Sequence, residues 1–303
     1  MKFSTYLKTC REELGLTQDA LTEALYLFDD ELFEGVAPGT LSRWEREVST
    51  PSYRRIEALM RFFQYRFDLP VPCIRTRDAK EAERIMCEEE LETLFKPKKM
   101  VADLAFQAEK IGFETITLRH HPRADELLEL NTMLHKSINT PLTRVEEKQF
   151  KTWIENPANL FVAVTYKSSF LGLLFALRLK PESFDAILRF QKRKADLKEE
   201  DFAAIDEEGS VYLLSFFALS PHIATQLFRR YYAHLVAYQQ KTRETGFVSS
   251  FEEALLLAER FGLHQSGETE SDGETVLAYR ADLFDAMRTT TALKVLFPKK
   301  HCS

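Results

Sequence analysis

Apolar residues at the start of the chain recur three and four positions apart, the spacing of one helix face. Leu41 and Trp44 stand three apart, and Ile56, Leu59, Met60 and Phe63 continue the same rhythm after a break at Pro51-Ser52. Thr17 is placed to cap a helix opening at Gln18. Two prolines in Leu69-Pro70-Val71-Pro72 end this helical head. Ala79 to Phe95 carries a broad apolar stripe, and Pro97 opens another helix that ends at Gly112. From Phe113 the period shortens. Thr115-Ile116-Thr117-Leu118, Leu160 to Tyr166 and Phe170 to Leu179 read as strands, with Lys167-Ser168-Ser169 as the turn between the last two. Ala124 to Ser137 reads as a helix, and Thr143-Arg144-Val145-Glu146 as a capping box for the next. Pro181 to Ala204 is charged and reads as a helical excursion. Val211 to Leu219 is almost unbroken apolar, the signature of a central strand covered on both faces. A helix from His222 to about Gln240, a strand at Phe247-Val248, a helix from Phe251 to Phe261 and a strand pair around His264 and Val276 to Arg280 complete the pattern.

This pattern divides 303 residues into a helical head (1–69), a helical connector and possible dimer contact (70–112), an α/β unit (113–288) and a C-terminal tail (289–303). The formal net charge of −6 excludes a polybasic coat for nucleic acid. No apolar run approaches membrane-spanning length and no signal peptide opens the chain, so a cytoplasmic location is expected. The four cysteines, Cys10, Cys73, Cys87 and Cys302, are scattered without metal-ligand spacing, so no metal site is expected.

In the head, Leu14-Gly15-Leu16-Thr17-Gln18, the run Gly35 to Arg46 and Pro51-Ser52 resemble the lambda-repressor/Cro (Xre-type) helix-turn-helix family. The resemblance covers residues 3 to 66. It implies a sequence-specific contact with double-stranded DNA, commonly by a homodimer, through Thr17, Gln18, Gly39, Thr40, Ser42, Arg43, Arg46 and Arg54. It also implies an ion pair between Arg11 and Glu45. Tyr26 to Glu34 is an insertion relative to that family. Residues 1–70 hold nine Lys/Arg against twelve Asp/Glu, an unfavourable balance for phosphate contact.

The order of elements from about 114 to 284 resembles the GCN5-related N-acetyltransferase (GNAT) fold, with Phe217-Ala218-Leu219-Ser220-Pro221 and Ala258-Glu259-Arg260-Phe261-Gly262-Leu263 as local anchors. The expected fold is therefore multidomain: an all-α helix-turn-helix domain followed by an α/β (α+β) GNAT-like domain with a mixed, mainly antiparallel sheet. The resemblance implies acetyl-CoA or another acyl-CoA along Phe217, Leu219, His222, Ala224 and Thr225, its pyrophosphate on the amides that open the following helix.

Three features argue against turnover. The family's general-acid tyrosine falls on Ala258, the loop Pro221 to Thr225 has no glycine, and the central strand has no carboxylate. No catalytic residue is therefore assigned. The expectation is a DNA-binding transcriptional regulator whose GNAT-like domain senses a small acyl-type ligand or a partner. An active acetyl-CoA-dependent N-acetyltransferase with a DNA- or protein-targeting head is the alternative. The basic block Arg189 to Lys194 precedes Asp196, Glu199, Glu200 and Asp201 and reads as a solvated charged helix.

Overall fold

The structure is a computed structural model and describes residues 2–67, 113–138, 145–167 and 169–297. The connector expected at 70–112 lies outside the described residues, as do Cys73, Cys87 and Cys302.

Five helices make the head: α1 (Phe3–Glu13), α2 (Gln18–Phe28), α3 (Asp30–Phe33), α4 (Pro38–Glu45) and α5 (Tyr53–Phe67). Thr17 Oγ1 accepts the Ala20 amide at 3.1 Å and starts α2, as its position suggested. The stretch read as an insertion holds α3, capped by Asp29, whose carboxylate also meets Arg61 at 3.4 Å. Its acids thus engage the head's own groups. Leu41, Trp44, Ile56, Leu59, Met60 and Phe63 are all buried together. Arg11 grips Glu45 through two nitrogens, Nε at 2.6 Å and Nη2 at 3.2 Å, tying α1 to α4. The Glu45 side chain is only 5% exposed.

The rest of the chain is built on a seven-stranded sheet, β1 (Glu114–Thr117), β2 (Leu160–Tyr166), β3 (Ser169–Leu179), β4 (Gly209–Ala218), β5 (Thr242–Ser249), β6 (His264–Ser271) and β7 (Glu274–Asp282), in the order 1-2-3-4-5-7-6. Every neighbouring pair is antiparallel except β4 and β5, which run parallel. One face is covered by α6 (Ala124–Ile138), α7 (Glu147–Trp153) and α8 (Pro181–Leu188). The other packs on α9 (Pro221–Ala237) and α10 (Glu252–Arg260). The mixed sheet matches the expected architecture. The α7 cap differs in residue: Glu146 and Gln149 form the box, with the Glu146 amide donating to Gln149 Oε1 at 3.1 Å. Thr143 lies outside the described residues.

Residues 283–297, spanning the boundary drawn at 289, form α11 (Leu283–Arg288) and α12 (Thr290–Leu296), the latter almost wholly buried. They seat the head on the sheet. Phe297 meets Phe3 edge-on with ring centroids 5.2 Å apart and lies 5.7 Å from Tyr6. Tyr53 donates to the Phe297 carbonyl at 3.4 Å, and Arg288 donates to Gln64 at 3.3 Å.

Glu45→Ala leaves the Arg11 guanidinium half-enclosed without its carboxylate. Such a loss typically costs about 3–5 kcal/mol, so the head of this variant should melt well below the wild type in a thermal scan. Equal melting temperatures would show that the pair contributes nothing to the head.

Candidate functional site

The parallel pair β4–β5 divides into a closed end and an open end. Pairing runs through Gly209–Thr242 and Val211–Thr245 and stops at Tyr212–Gly246. Beyond that, β4 stays on β3 to Ala218 while β5 stays on β7 to Ser249. The β3–β4 register shifts between Phe175 and Ala176, which leaves Leu214 as an extra residue on β4. A bulge bends and twists its strand, so the bulge two residues past Tyr212 explains why β4 leaves β5 there. The result is a fork that opens towards the C-terminal ends of both strands.

The closed end is stapled by Arg178, a fully buried arginine on β3. Its guanidinium donates to Thr242 Oγ1 at 2.6 Å, to the Glu207 and Lys241 carbonyls at 2.7 Å each, and to the Ala204 carbonyl at 3.3 Å. It lies over the Tyr238 ring at 5.5 Å. Burial lowers its pKa. Burial, and then the Arg178 charge, push His234 down to about 4, so this imidazole stays neutral. A polar cleft of about 680 Å³, lined by residues 239–244, Asp282 and Phe284, lies at this same closed end, away from the fork.

The residues expected to hold an acyl-CoA stand at the open end but differ in what they offer. Phe217 is half-buried and stacks on Phe170 at 5.9 Å. Leu219 is exposed. His222 is half-buried with its ring 5.6 Å from Phe113. Ala224 and Thr225 are wholly buried, and the Thr225 hydroxyl donates back to the Pro221 carbonyl at 2.9 Å. Their side chains therefore face the core rather than a ligand. The start of α9 is partly self-satisfied. Pro221 has no N–H, and Ser220 Oγ accepts the Ile223 amide at 3.4 Å. Two of the donors that a phosphate would use are thus gone. Gly172 on β3 allows α9 to start this close, since a β-carbon there would come within 2.7 Å of both the Phe217 carbonyl and Ile223.

Beneath the fork, on the α6–α8 face, lie Tyr212, on the strand expected for it, and Lys194, which the sequence reading placed on a solvated helix. Tyr212, the last paired residue of β4, is fully buried; its hydroxyl faces the Val248 main chain across the fork and has no well-formed hydrogen bond. Lys194 was expected on a solvated helix. Instead α8 stops at Leu188 and two short 3₁₀ turns follow, Lys194–Asp196 and Glu199–Asp201. Leu197 and Phe202 sink into the core, and Lys194 goes in with them at 3% exposure, its Nζ 5.8 Å from the Tyr212 ring centre. Burial alone pushes its pKa down to about 7. The neighbouring charges are spent on each other: Lys192 with Asp201, Arg193 with Asp196 at 2.8 Å. The mixture of charge with Phe190, Leu197 and Phe202 was the available signal that one side of this segment faces inward.

Ala258 is fully buried in the core, so the position of the family's general acid offers no proton. Among the described residues no group of three or more potential ligands could hold a metal, and no helix is long and apolar enough to cross a membrane. In the head, Gln18 Nε2 donates to Glu45 at 2.8 Å, Arg43 donates to Thr40 Oγ1 at 3.3 Å, and Arg46 donates to the Ser42 carbonyl at 3.3 Å. Gln18 thus joins the Arg11–Glu45 cluster through one of its two amide hydrogens. Gly39 and Arg54 are exposed, and Ser42 is half-buried.

No protein-family model matches the chain, and no curated protein matches it. Solved structures similar to it include FeeM, an N-acyl amino acid synthase from uncultured soil microbes, with TM-score 0.42 and 12% identity over 60% of this chain and 97% of that one. A putative GNAT-family acetyltransferase from Desulfovibrio desulfuricans gives 0.35 and 14% over 57% and 98%. An N-acetyltransferase from Staphylococcus aureus Mu50 gives 0.36 and 14% over 57% and 99%. At such scores the likeness carries no activity across, and the GNAT-like shape rests on the strand order, the single parallel pair and the fork. The expectations of a DNA-binding regulator and of a domain without turnover are not upheld by these comparisons: the solved structures named here are a synthase and two acetyltransferases.

Lys194 makes stability depend on pH in a defined direction. Its folded pKa lies below the unfolded value near 10.4, so the unfolded chain binds the extra proton between about pH 7 and pH 10 and stability rises with pH across that window. Lys194→Met removes the burden. The variant should be more resistant to denaturant than the wild type at pH 7, and the gap should close by pH 10. A gap that is constant with pH would place the Lys194 amine in water.

Proposed function

We propose that the chain is an N-acyltransferase that draws its acyl group from a thioester donor held in the fork between β4 and β5. The fork carries this reading. Two strand edges that run parallel, pair as far as Tyr212–Gly246 and then separate leave a wedge between them. An extended thioester arm with amide groups of its own is the kind of ligand that fits such a wedge, by the same main-chain pairing that adds a strand to a sheet edge. The wedge points the thioester at the apex, where Tyr212 and Lys194 lie on the side away from α9.

Acyl-CoA is the donor that this arrangement suggests, with one qualification drawn from the loop. The start of α9 has lost donors to Pro221 and to the Ser220 cap. The arm and the acyl group therefore contribute more to binding than the pyrophosphate does. The apolar residues around the mouth fit that division: Leu219 at the end of β4, and Phe251, Leu255 and Leu256 after the end of β5, are all exposed.

The test measures binding and turnover separately. Acetyl-CoA, a longer acyl-CoA and the corresponding acyl-pantetheine should each bind in calorimetry, the last within about tenfold of its CoA parent. Release of free thiol should require an amine from a broad panel. Val248→Trp fills the wedge from β5 and should weaken binding at least tenfold while leaving the unfolding midpoint near that of the wild type. Undiminished binding by that variant, or no amine-dependent thiol release by the wild type, would overturn the proposal.

A further inference from the structure

We infer that Lys194 is the proton acceptor for acyl transfer at the apex of the fork, held there by the ring of Tyr212. This assignment rests on the acyltransferase reading and supplies the proton acceptor that the strand itself lacks. It follows from geometry. Tyr212 is the last residue of β4 paired with β5, and its hydroxyl crosses towards Val248 on the far arm of the fork. Lys194 lies over that ring from the α6–α8 face, so its amine stands beneath the point where the strands part. It is 97% buried by its exposure of 3%, and no hydrogen bond or ion pair holds it among the described residues.

Ordinarily a buried lysine is matched by a carboxylate. The charged groups that pair on the surrounding elements do so with one another and not with Lys194. On its own segment Lys192 meets Asp201 and Arg193 meets Asp196. On α8 and β5, Asp185 and Glu244 both meet Arg280, at 2.7 and 2.8 Å. On α7, Lys151 meets Glu147 at 2.8 Å and Lys148 meets Glu146 at 3.0 Å. The amine lies over the Tyr212 ring, whose phenol burial holds in its neutral form. Lysine placed this way gives up its proton near neutral pH, which is the condition for a base that works in water at pH 7.

The chemistry balances without a further reactant. The acceptor's neutral amine attacks the thioester carbonyl, forming the C–N bond. Collapse of the tetrahedral adduct breaks the C–S bond. The proton shed by nitrogen passes to the neutral Lys194 amine, and the ammonium so formed returns it to the departing sulfur. Thioester and amine become amide and free thiol.

The experiment uses the full chain, acetyl-CoA and a longer acyl-CoA as donors, and the best amine of the panel. Wild-type kcat/KM should rise with pH on a limb centred near 7, and the midpoint should fall on warming, as it does for an ammonium and not for a carboxylic acid. Lys194→Met should bind acyl-CoA within about threefold of the wild type, lose at least a hundredfold in kcat at pH 7 and lose the limb. Lys194→Arg keeps the charge but cannot take a proton in this range, and it should be as inactive as the methionine variant. A fast wild type whose limb survives in both variants would overturn the assignment of Lys194 alone. A wild type without amine-dependent thiol release would overturn this assignment together with the acyltransferase reading.

Discussion

Arg178 is the fixed point of the sheet. A guanidinium carries five donors and cannot be neutralised at ordinary pH, so burying one demands oxygens on every side. Here they come from four separate places: Thr242, and the carbonyls of Ala204, Glu207 and Lys241. These belong to the segment that leads into β4 and to the start of β5. One side chain on β3 therefore clamps the beginning of both parallel strands. With that end held, the twist introduced by the bulge at Leu214 has only one outlet, the far end, where the strands separate. The closed end and the fork are two consequences of the same constraint.

The same logic separates the two faces at the fork. On the α9 side the chain satisfies itself. Ser220 caps the helix, Pro221 removes a donor, and Thr225 turns its hydroxyl back to a carbonyl. On the α6–α8 side polar groups are left over. The Tyr212 hydroxyl is buried without an ordinary hydrogen bond, and the Lys194 side chain is buried over its ring. The proposed chemistry therefore uses the second face and not the helix start.

Much of the fold could be read from pattern because pattern reports burial. The unbroken apolar run from Val211 became β4, the Thr17 cap began α2, and Arg11 found Glu45. The fork could not be read in this way. It depends on a register shift between β3 and β4, and strand periodicity is silent about which partner a strand abandons. Lys194 failed for a related reason. In the run Arg189 to Asp201 charged residues outnumber apolar ones, and a helical projection spreads them over a solvated surface. Two 3₁₀ turns have a different period, and they bring Lys194 and Leu197 inward together. The loop Pro221 to Thr225 follows the open end of β4, but helical geometry turns Ala224 and Thr225 to the core, which residue type alone does not reveal.

A lysine buried without a counter-charge is an energetic burden that packing alone would not select. Desolvation penalises the charged form, and methionine of nearly the same volume would fill the space without that cost. Sequences that fold well are consistent from local pattern to global packing, and breaches of that consistency concentrate where function demands them. Lys194 sits over the ring of Tyr212, the residue at which the pairing of β4 with β5 ends. On the acyltransferase reading proposed above, the wedge comes from the bulge and the arginine clamp, and the segment between β3 and β4 brings the amine to its apex.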